Sequence, residues 1–241
     1  MSSPMKIRIL AAAWLMLSLC RATAFADTII SGGTITVNTT WTLANSPYQV
    51  NSTVYVAGTT TVPVTLTIEP GVVVRFAAGA GLTVGNGGNL GALVSRGTST
   101  SRITLTRSGA SGTWSDILFN TTTVSATTMI EYTDIQNVRS VQMSSVSPTI
   151  KDSTISYSYP NSYGLYLMNS SPTLDHVTAT GDALSAIYLY SSSSPTITGG
   201  SFTNTALSGQ GIVGDTGSYH PAISNCTVTI ANTAGVHARS L

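Results

Sequence analysis

Apolar residues in the C-terminal half of the chain recur in files rather than in a helical rhythm. Ile117, Val141, Leu165, Ile187, Ile212 and Val236 follow one another at a nearly constant step of about 24 residues. A second file runs in phase with the first. Pro148, Pro172, Pro195 and Pro221 keep the same step, and the first three stand inside Ser-Pro-Thr-Ile or Ser-Pro-Thr-Leu. Two files in phase over several intervals mark an internal repeat. Within each repeat Ile130, Thr133 and Ile135 recur as Ile150, Ser153 and Ile155, then as Leu174, Val177 and Ala179. They return as Ile197, Gly200 and Phe202 and as Ile223, Cys226 and Val228. Apolar residues five apart, with a small residue at the third step, match no helical period. They predict two short strands meeting at a bend whose side chain turns inward.

A unit of about 24 residues holding two or three short strands cannot bury its apolar side alone, whereas stacked units bury a continuous core. Corresponding strands then run parallel, about 4.8 Å apart, and like side chains pile on like. The expectation is an all-β, right-handed parallel β-helix (a solenoid) of about nine coils of roughly 24 residues, a rod about 40 Å tall. The N-terminal half is less regular but reads the same way. Its expected strands are Thr34–Val37, Thr53–Val56, Thr65–Ile68, Val72–Phe76, Gly81–Val84, Gly91–Val94 and Arg102–Thr106. Turns at Glu69-Pro70-Gly71 and Gly85-Asn86-Gly87-Gly88 separate them.

The run Trp41…Ser46-Pro47-Tyr48…Leu66-Thr67-Ile68-Glu69-Pro70-Gly71-Val72-Val73-Val74-Arg75-Phe76 leads into Leu82-Thr83-Val84, Leu90-Gly91-Ala92 and Arg102-Ile103-Thr104-Leu105. Gly112-Thr113-Trp114-Ser115-Asp116-Ile117-Leu118-Phe119 follows. This succession resembles the opening of bacterial secreted right-handed parallel β-helix repeat proteins of the pectin-lyase-like superfamily. The resemblance spans the mature chain and implies a β-helix and export. It implies no single activity, because that superfamily holds lyases, hydrolases and adhesins.

The leader, Met1 to Ala26, reads as a signal peptide. Lys6 and Arg8 precede the apolar run Ile9–Cys20, and Ala24-Phe25-Ala26 supplies the cleavage pattern. That apolar run is too short for a membrane span, which needs about 20 residues, and no second such run follows. Leu17-Ser18-Leu19-Cys20 places leucine where a lipid-anchor motif has a small residue, so cleavage after Ala26 is preferred to anchoring at Cys20. Residues 27–241 then form one β-helix domain. That domain is expected to be incomplete at its C-terminus, since the chain stops at Leu241 within a coil. An open coil end invites pairing with further sequence or another chain.

Composition sharpens this picture. The chain carries 33 Ser, 38 Thr and 22 Gly, and 8% of its residues are charged. A near-neutral balance of 10 basic and 9 acidic residues excludes a basic stripe for nucleic acid. Cys226 is the one cysteine of the mature segment, so no intramolecular disulfide holds the domain. Its place in the inward small-residue file reads as packing. Trp114, opening the first regular coil, also reads as packing, and Gly85-Asn86-Gly87-Gly88 as a turn rather than a phosphate loop.

The candidate catalytic residues are Asp152, Asp175 and His176, which fall on outward positions of neighbouring coils at the bend. Glycoside hydrolysis needs two carboxylates about 5–9 Å apart. Alternating Glu131, Lys151 and Asp175 equally make a solvated charge ladder, and that reading is preferred. A β-elimination lyase would want a base beside calcium-binding acids, yet Arg139 and Lys151 are the only basic residues between Arg107 and Arg239. His176, His220 and His237 lie in different repeats, so neither a metal site nor a cofactor is expected. The candidate ligand-binding residues are Tyr166, Tyr188 and Tyr190, outward on adjacent coils among Ser, Asn and Asp and near the loop that holds Tyr157, Tyr159 and Tyr163. Aromatic rings beside hydroxyls and amides suit sugars, apolar on one face and polar at the rim. A simple aromatic ladder is the competing reading. The expectation is an exported protein, extracellular, periplasmic or at the cell surface, with a structural or adhesive role and a polysaccharide or another surface protein as partner. The alternative is a carbohydrate-active enzyme, a polysaccharide lyase or glycoside hydrolase.

Overall fold

The computed structural model describes residues 26–231 except Pro160, Thr216 and Ser218. The leader residues 1–25, with the expected signal and Cys20, lie outside the described residues, as do Val236 and the tail to Leu241. Twenty-five short strands and one 3-10 turn, Leu43–Asn45, make up the described regular structure. Among the described residues no helix is long and apolar enough to cross a membrane.

Each strand is too short to bury its apolar side alone and pairs with its counterpart one coil away. The strands sort into three parallel sheets of nine, eight and eight. The first sheet begins each coil, from Thr28–Ile30 to Thr227–Ile230; the second runs from Gly33–Ile35 to Gln210–Gly214 and the third from Thr39–Trp41 to Ala222–Ser224. The molecule is therefore a right-handed parallel β-helix of eight full coils, with the opening strand of a ninth, among the described residues.

The expected files are the registers of these sheets. In the second sheet Ile117 pairs with Val141, then Leu165, Ile187 and Ile212 follow in turn. In the third, Ile130, Ile150, Leu174, Ile197 and Ile223 succeed one another. In the first, Ile135, Ile155, Ala179, Phe202 and Val228 do so. From Ile117 through Ile197 the aliphatic members of these files are essentially solvent-free, and they form one continuous core. Such burial contributes about 1.5–3 kcal/mol for each large apolar side chain. The seven strands expected in the N-terminal half all occur within a residue or two of their expected bounds. Three more, Thr28–Ile30, Thr39–Trp41 and Tyr48–Val50, complete the first two coils.

Stacked aromatic pairs lie in the core of the N-terminal coils. Trp41 stacks on Tyr48 with centroids 5.2 Å apart, and Phe76 on Trp114 at 4.2 Å. Trp114 is 1% exposed, and its indole N–H donates to the Gln136 carbonyl at 2.7 Å, so it packs as expected. Gly85 to Gly88 forms a turn closed by Asn86 and Asn89. Tyr157 points inward: its ring is buried and its hydroxyl donates to the Thr203 carbonyl at 2.9 Å. The ring fits because Gly164 and Gly181 lie against it; a Cβ on either glycine would stand 2.6 Å from a carbon of the ring. Cys226 holds the inward corner position, but it is half-buried rather than sealed.

Candidate functional site

From the fourth coil on, the tight corner between the third and first sheets turns on one residue in left-handed conformation per coil. Tyr132, Asp152, His176, Gly199 and Asn225 have φ of 44°, 46°, 52°, 62° and 55°. Short polar residues and glycine tolerate this region best. The N–H of Tyr132, Asp152, His176 and Gly199 donates to a carbonyl of the next coil, from Lys151, Asp175, Thr198 and Ser224 respectively. The corner is thus a hydrogen-bonded file. At Gly199 a Cβ would also sit 2.8 Å from the His176 ring.

The candidates Asp152, Asp175 and His176 stand on this corner. Asp175 faces Lys151 at 3.5 Å and its own neighbour His176 at 2.7 Å. Its place in the sheet is the end of a series: Arg96, Glu131, Lys151 and Asp175 are successive register partners. Arg96 and Glu131 are 3.1 Å apart. Contact with Asp175, its charge, and the charges of Asp152 and Glu131 hold the Lys151 ammonium protonated above its ordinary range. The group is an alternating charge ladder on an open flank, and Asp152 has no ion-pair partner among the described residues.

The opposite corner, between the second and third sheets, explains the Ser-Pro-Thr repeat. The N–H groups of Ser147, Ser171, Ser194 and His220 donate to the hydroxyls of Ser125, Ser147, Ser171 and Ser194, one coil earlier, at 2.9–3.1 Å. Inside the same corner, the N–H of Val146 and of Ser170 donates to Ser170 and Ser193, one coil later. Proline has no N–H to satisfy, and its carbonyl takes the N–H of the next coil's threonine, as Pro148 does from Thr173 at 3.3 Å and Pro172 from Thr196 at 3.0 Å. Each N–H named here therefore finds an acceptor on a neighbouring coil.

The tyrosines gather on the outer side of the second sheet. Tyr166 pairs in register with Tyr188, and Tyr190 belongs to the same strand as Tyr188, Ser185–Tyr190. Tyr163 joins them by stacking on Tyr188 with centroids 4.1 Å apart, tilted by 16°. Tyr166 lies 5.5 Å from Tyr163, 5.7 Å from Tyr188 and 6.4 Å from Tyr190, all within 25° of parallel. With Ser140, Gln142 and Ser162 these four rings line a shallow recess of about 270 Å³. The Tyr188 hydroxyl donates to Asp215 at 2.5 Å. Burial, with the Asp215 hydrogen bond and the neighbouring Tyr163, pushes the Tyr188 phenol far above its ordinary range. Burial, with Tyr190, Tyr163 and Asp215, also raises Tyr166. These hydroxyls stay protonated at physiological pH and can both donate and accept.

A second recess, about 300 Å³, lies on the first sheet among Gln136, Asn137, Thr154, Ser156, Thr178 and Thr180. A bulge between Ile135 and Val138 opens it. It has hydroxyls and amides but no aromatic ring. Beside it Arg102 grips Asp134 with two nitrogens at 2.8–3.0 Å and reaches the Asp152 carbonyl, clamping three successive coils.

The expected Tyr166, Tyr188 and Tyr190 thus occupy one recess, while Asp152, Asp175 and His176 occupy a separate corner. The sequence places the Tyr163 loop near this face, but not the stacking of Tyr163 on Tyr188, since its register partner is Ser185. Among the described residues no group of three or more His, Cys, Asp or Glu is placed to hold a metal ion. A family model described as right handed beta helix region matches residues 38–240. No curated protein and no solved structure matches the chain.

Proposed function

The chain belongs to the right-handed β-helix family, and from that premise we propose that it is an exported scaffold with an adhesive role, contacting glycans through the tyrosine recess. One observation carries the reading: four tyrosine rings converge on a recess with Ser140, Gln142 and Ser162. Aromatic surface flanked by hydroxyl and amide groups matches the two-faced chemistry of a sugar ring. The leader's charged start, apolar run and Ala24-Phe25-Ala26 pattern support export, to the cell surface or beyond. The rigid stack supports the adhesive role, since side chains fixed by neighbouring coils lose little freedom on binding.

A glycan array probed with the mature chain tests this. Binding is expected, and replacing both Tyr166 and Tyr188 by Ala should abolish it while the β-sheet circular dichroism spectrum stays unchanged. An intact folded chain that retains no glycan, or a double variant that binds as well as the parent, overturns it.

A further inference from the structure

The four rings stack on one another, so most of their faces are already covered. The file through the recess runs Leu118, Gln142, Tyr166, Tyr188 and Val213 along successive coils. Aromatic stacking therefore stops at Gln142, one rung before Tyr166, where the half-buried Gln142 amide gives the recess a polar wall. At about 270 Å³ the recess falls just below the roughly 300–1,000 Å³ of sites that take drug-sized ligands. That volume suits one ring rather than a length of polymer.

Charge narrows the ligand further. None of the lining residues is basic or acidic. The charge nearest the rings is Asp215, an acceptor for Tyr188. Arg139, next in sequence to Ser140, is turned to Asp116, which its Nε and Nη2 both meet. A sugar carboxylate in the recess would thus face a fixed negative charge with no cation among the described lining residues to pair it, and a charge taken from water without a partner is strongly disfavoured.

Resting on the glycan reading above, we infer that the recess takes one uncharged pyranose ring, at a chain end or as a single side residue. That ring is seated as an added rung over Gln142, and uronic acids are refused. Its apolar face continues the tyrosine stack from Tyr166. Its hydroxyls meet the Gln142 amide and the Ser162 hydroxyl.

Affinity electrophoresis of the mature chain through gels containing neutral glucans, galactans or mannans, beside gels containing polygalacturonate or alginate, tests the inference. At least one neutral polymer should retard the chain and neither uronate should. Gln142→Ala should weaken the neutral interaction about tenfold, a loss of about 1.4 kcal/mol, with the thermal midpoint unchanged. Asp215→Asn should admit uronates. If uronates retard the parent and Tyr166→Ala removes that retardation, the glycan reading stands and the selection for uncharged rings is wrong. If a neutral polymer binds but Gln142→Ala has no effect, the seating over Gln142 is wrong. If no polymer of either kind retards the folded parent, the glycan reading itself falls.

Discussion

Coils 1–4 and coils 5–8 enter the same three sheets by different means. In the first group the chain between register partners is long and uneven; Leu82 and Ile117 are partners although 35 positions apart in the sequence. Stacked aromatics, Trp41 on Tyr48 and Phe76 on Trp114, occupy the interior. Ion pairs such as Arg75–Asp27 and Arg102–Asp134 bind coil to coil. In the second group Val141 and Leu165, then Leu165 and Ile187, are partners at a shorter and nearly constant step. There the corners close on serine hydroxyls and left-handed residues. A corner only has to satisfy its own N–H and C=O groups. A long loop does so with local turns and charged clamps, whereas a short corner must borrow a hydroxyl from the neighbouring coil. The borrowed hydroxyl forces periodicity, and periodicity is what sequence repeats report.

The contrast breaks most visibly at Trp114. Trp114→Ala removes a fully buried ring and should cost about 3–5 kcal/mol, read as a lowered denaturation midpoint. Loss of hydrogen-exchange protection should be greatest in coils 3–5, because the ring lies on Phe76 and bonds Gln136.

A smaller effect is expected at the serine corner. Ser170→Ala leaves the Val146 N–H without its acceptor in a buried corner and should cost about 1–3 kcal/mol. Thr60→Ala, in an exposed loop of coil 2, should stay within about 0.5 kcal/mol of the parent by the same denaturation measurement. Equal losses at both sites would erase the distinction between borrowed and local closure.

The smallest effect is a pH dependence belonging to the clamp. Burial alone would raise the Asp134 carboxyl, but hydrogen bonds from Arg102 and Thr154, with the Arg102 charge, outweigh it and hold the acid below its usual range. Its stabilising contribution is therefore complete above the unfolded value of about 3.9 and fades as pH falls through the lower folded value. Asp134→Asn should flatten the acid limb of a stability-against-pH curve below about pH 4. An unchanged acid limb would show that the clamp does not titrate with folding.

The regular coils were legible because one residue type recurs at one step: Ile150, Leu174 and Ile197 need no partner outside their own file to declare it. Thr28–Ile30, Thr39–Trp41 and Tyr48–Val50 escaped because three-residue strands separated by uneven loops leave no period to follow. The tyrosine face was legible in Tyr166 and Tyr188, which share a register position. Tyr163 reaches Tyr188 across the coils by leaning out of register, since its own partner is Ser185. Tyr157 reads in sequence as part of that outer cluster, and its inward turn depends on Gly164 and Gly181, which only contact geometry connects to it. Arg102 and Asp134 meet at a separation in the chain that matches no repeat step, so no periodic signal announces their clamp.

The stacked register itself is tested most directly by cross-linking across the outer side of the first sheet, in a chain whose Cys226 is replaced by Ala. Thr180 and Thr203 are register partners, while Thr178 is partnered with Ser201. Parallel neighbours lie about 4.8 Å apart, inside the roughly 4.4–6.8 Å Cα range a disulfide spans, whereas a diagonal pair lies beyond about 7 Å. Thr180→Cys with Thr203→Cys should oxidise to a full disulfide without loss of the native spectrum, and Thr178→Cys with Thr203→Cys should remain reduced under the same conditions. Equal cross-linking of both pairs, or closure of the diagonal pair alone, would contradict the stacking on which the tyrosine recess and the serine corners depend.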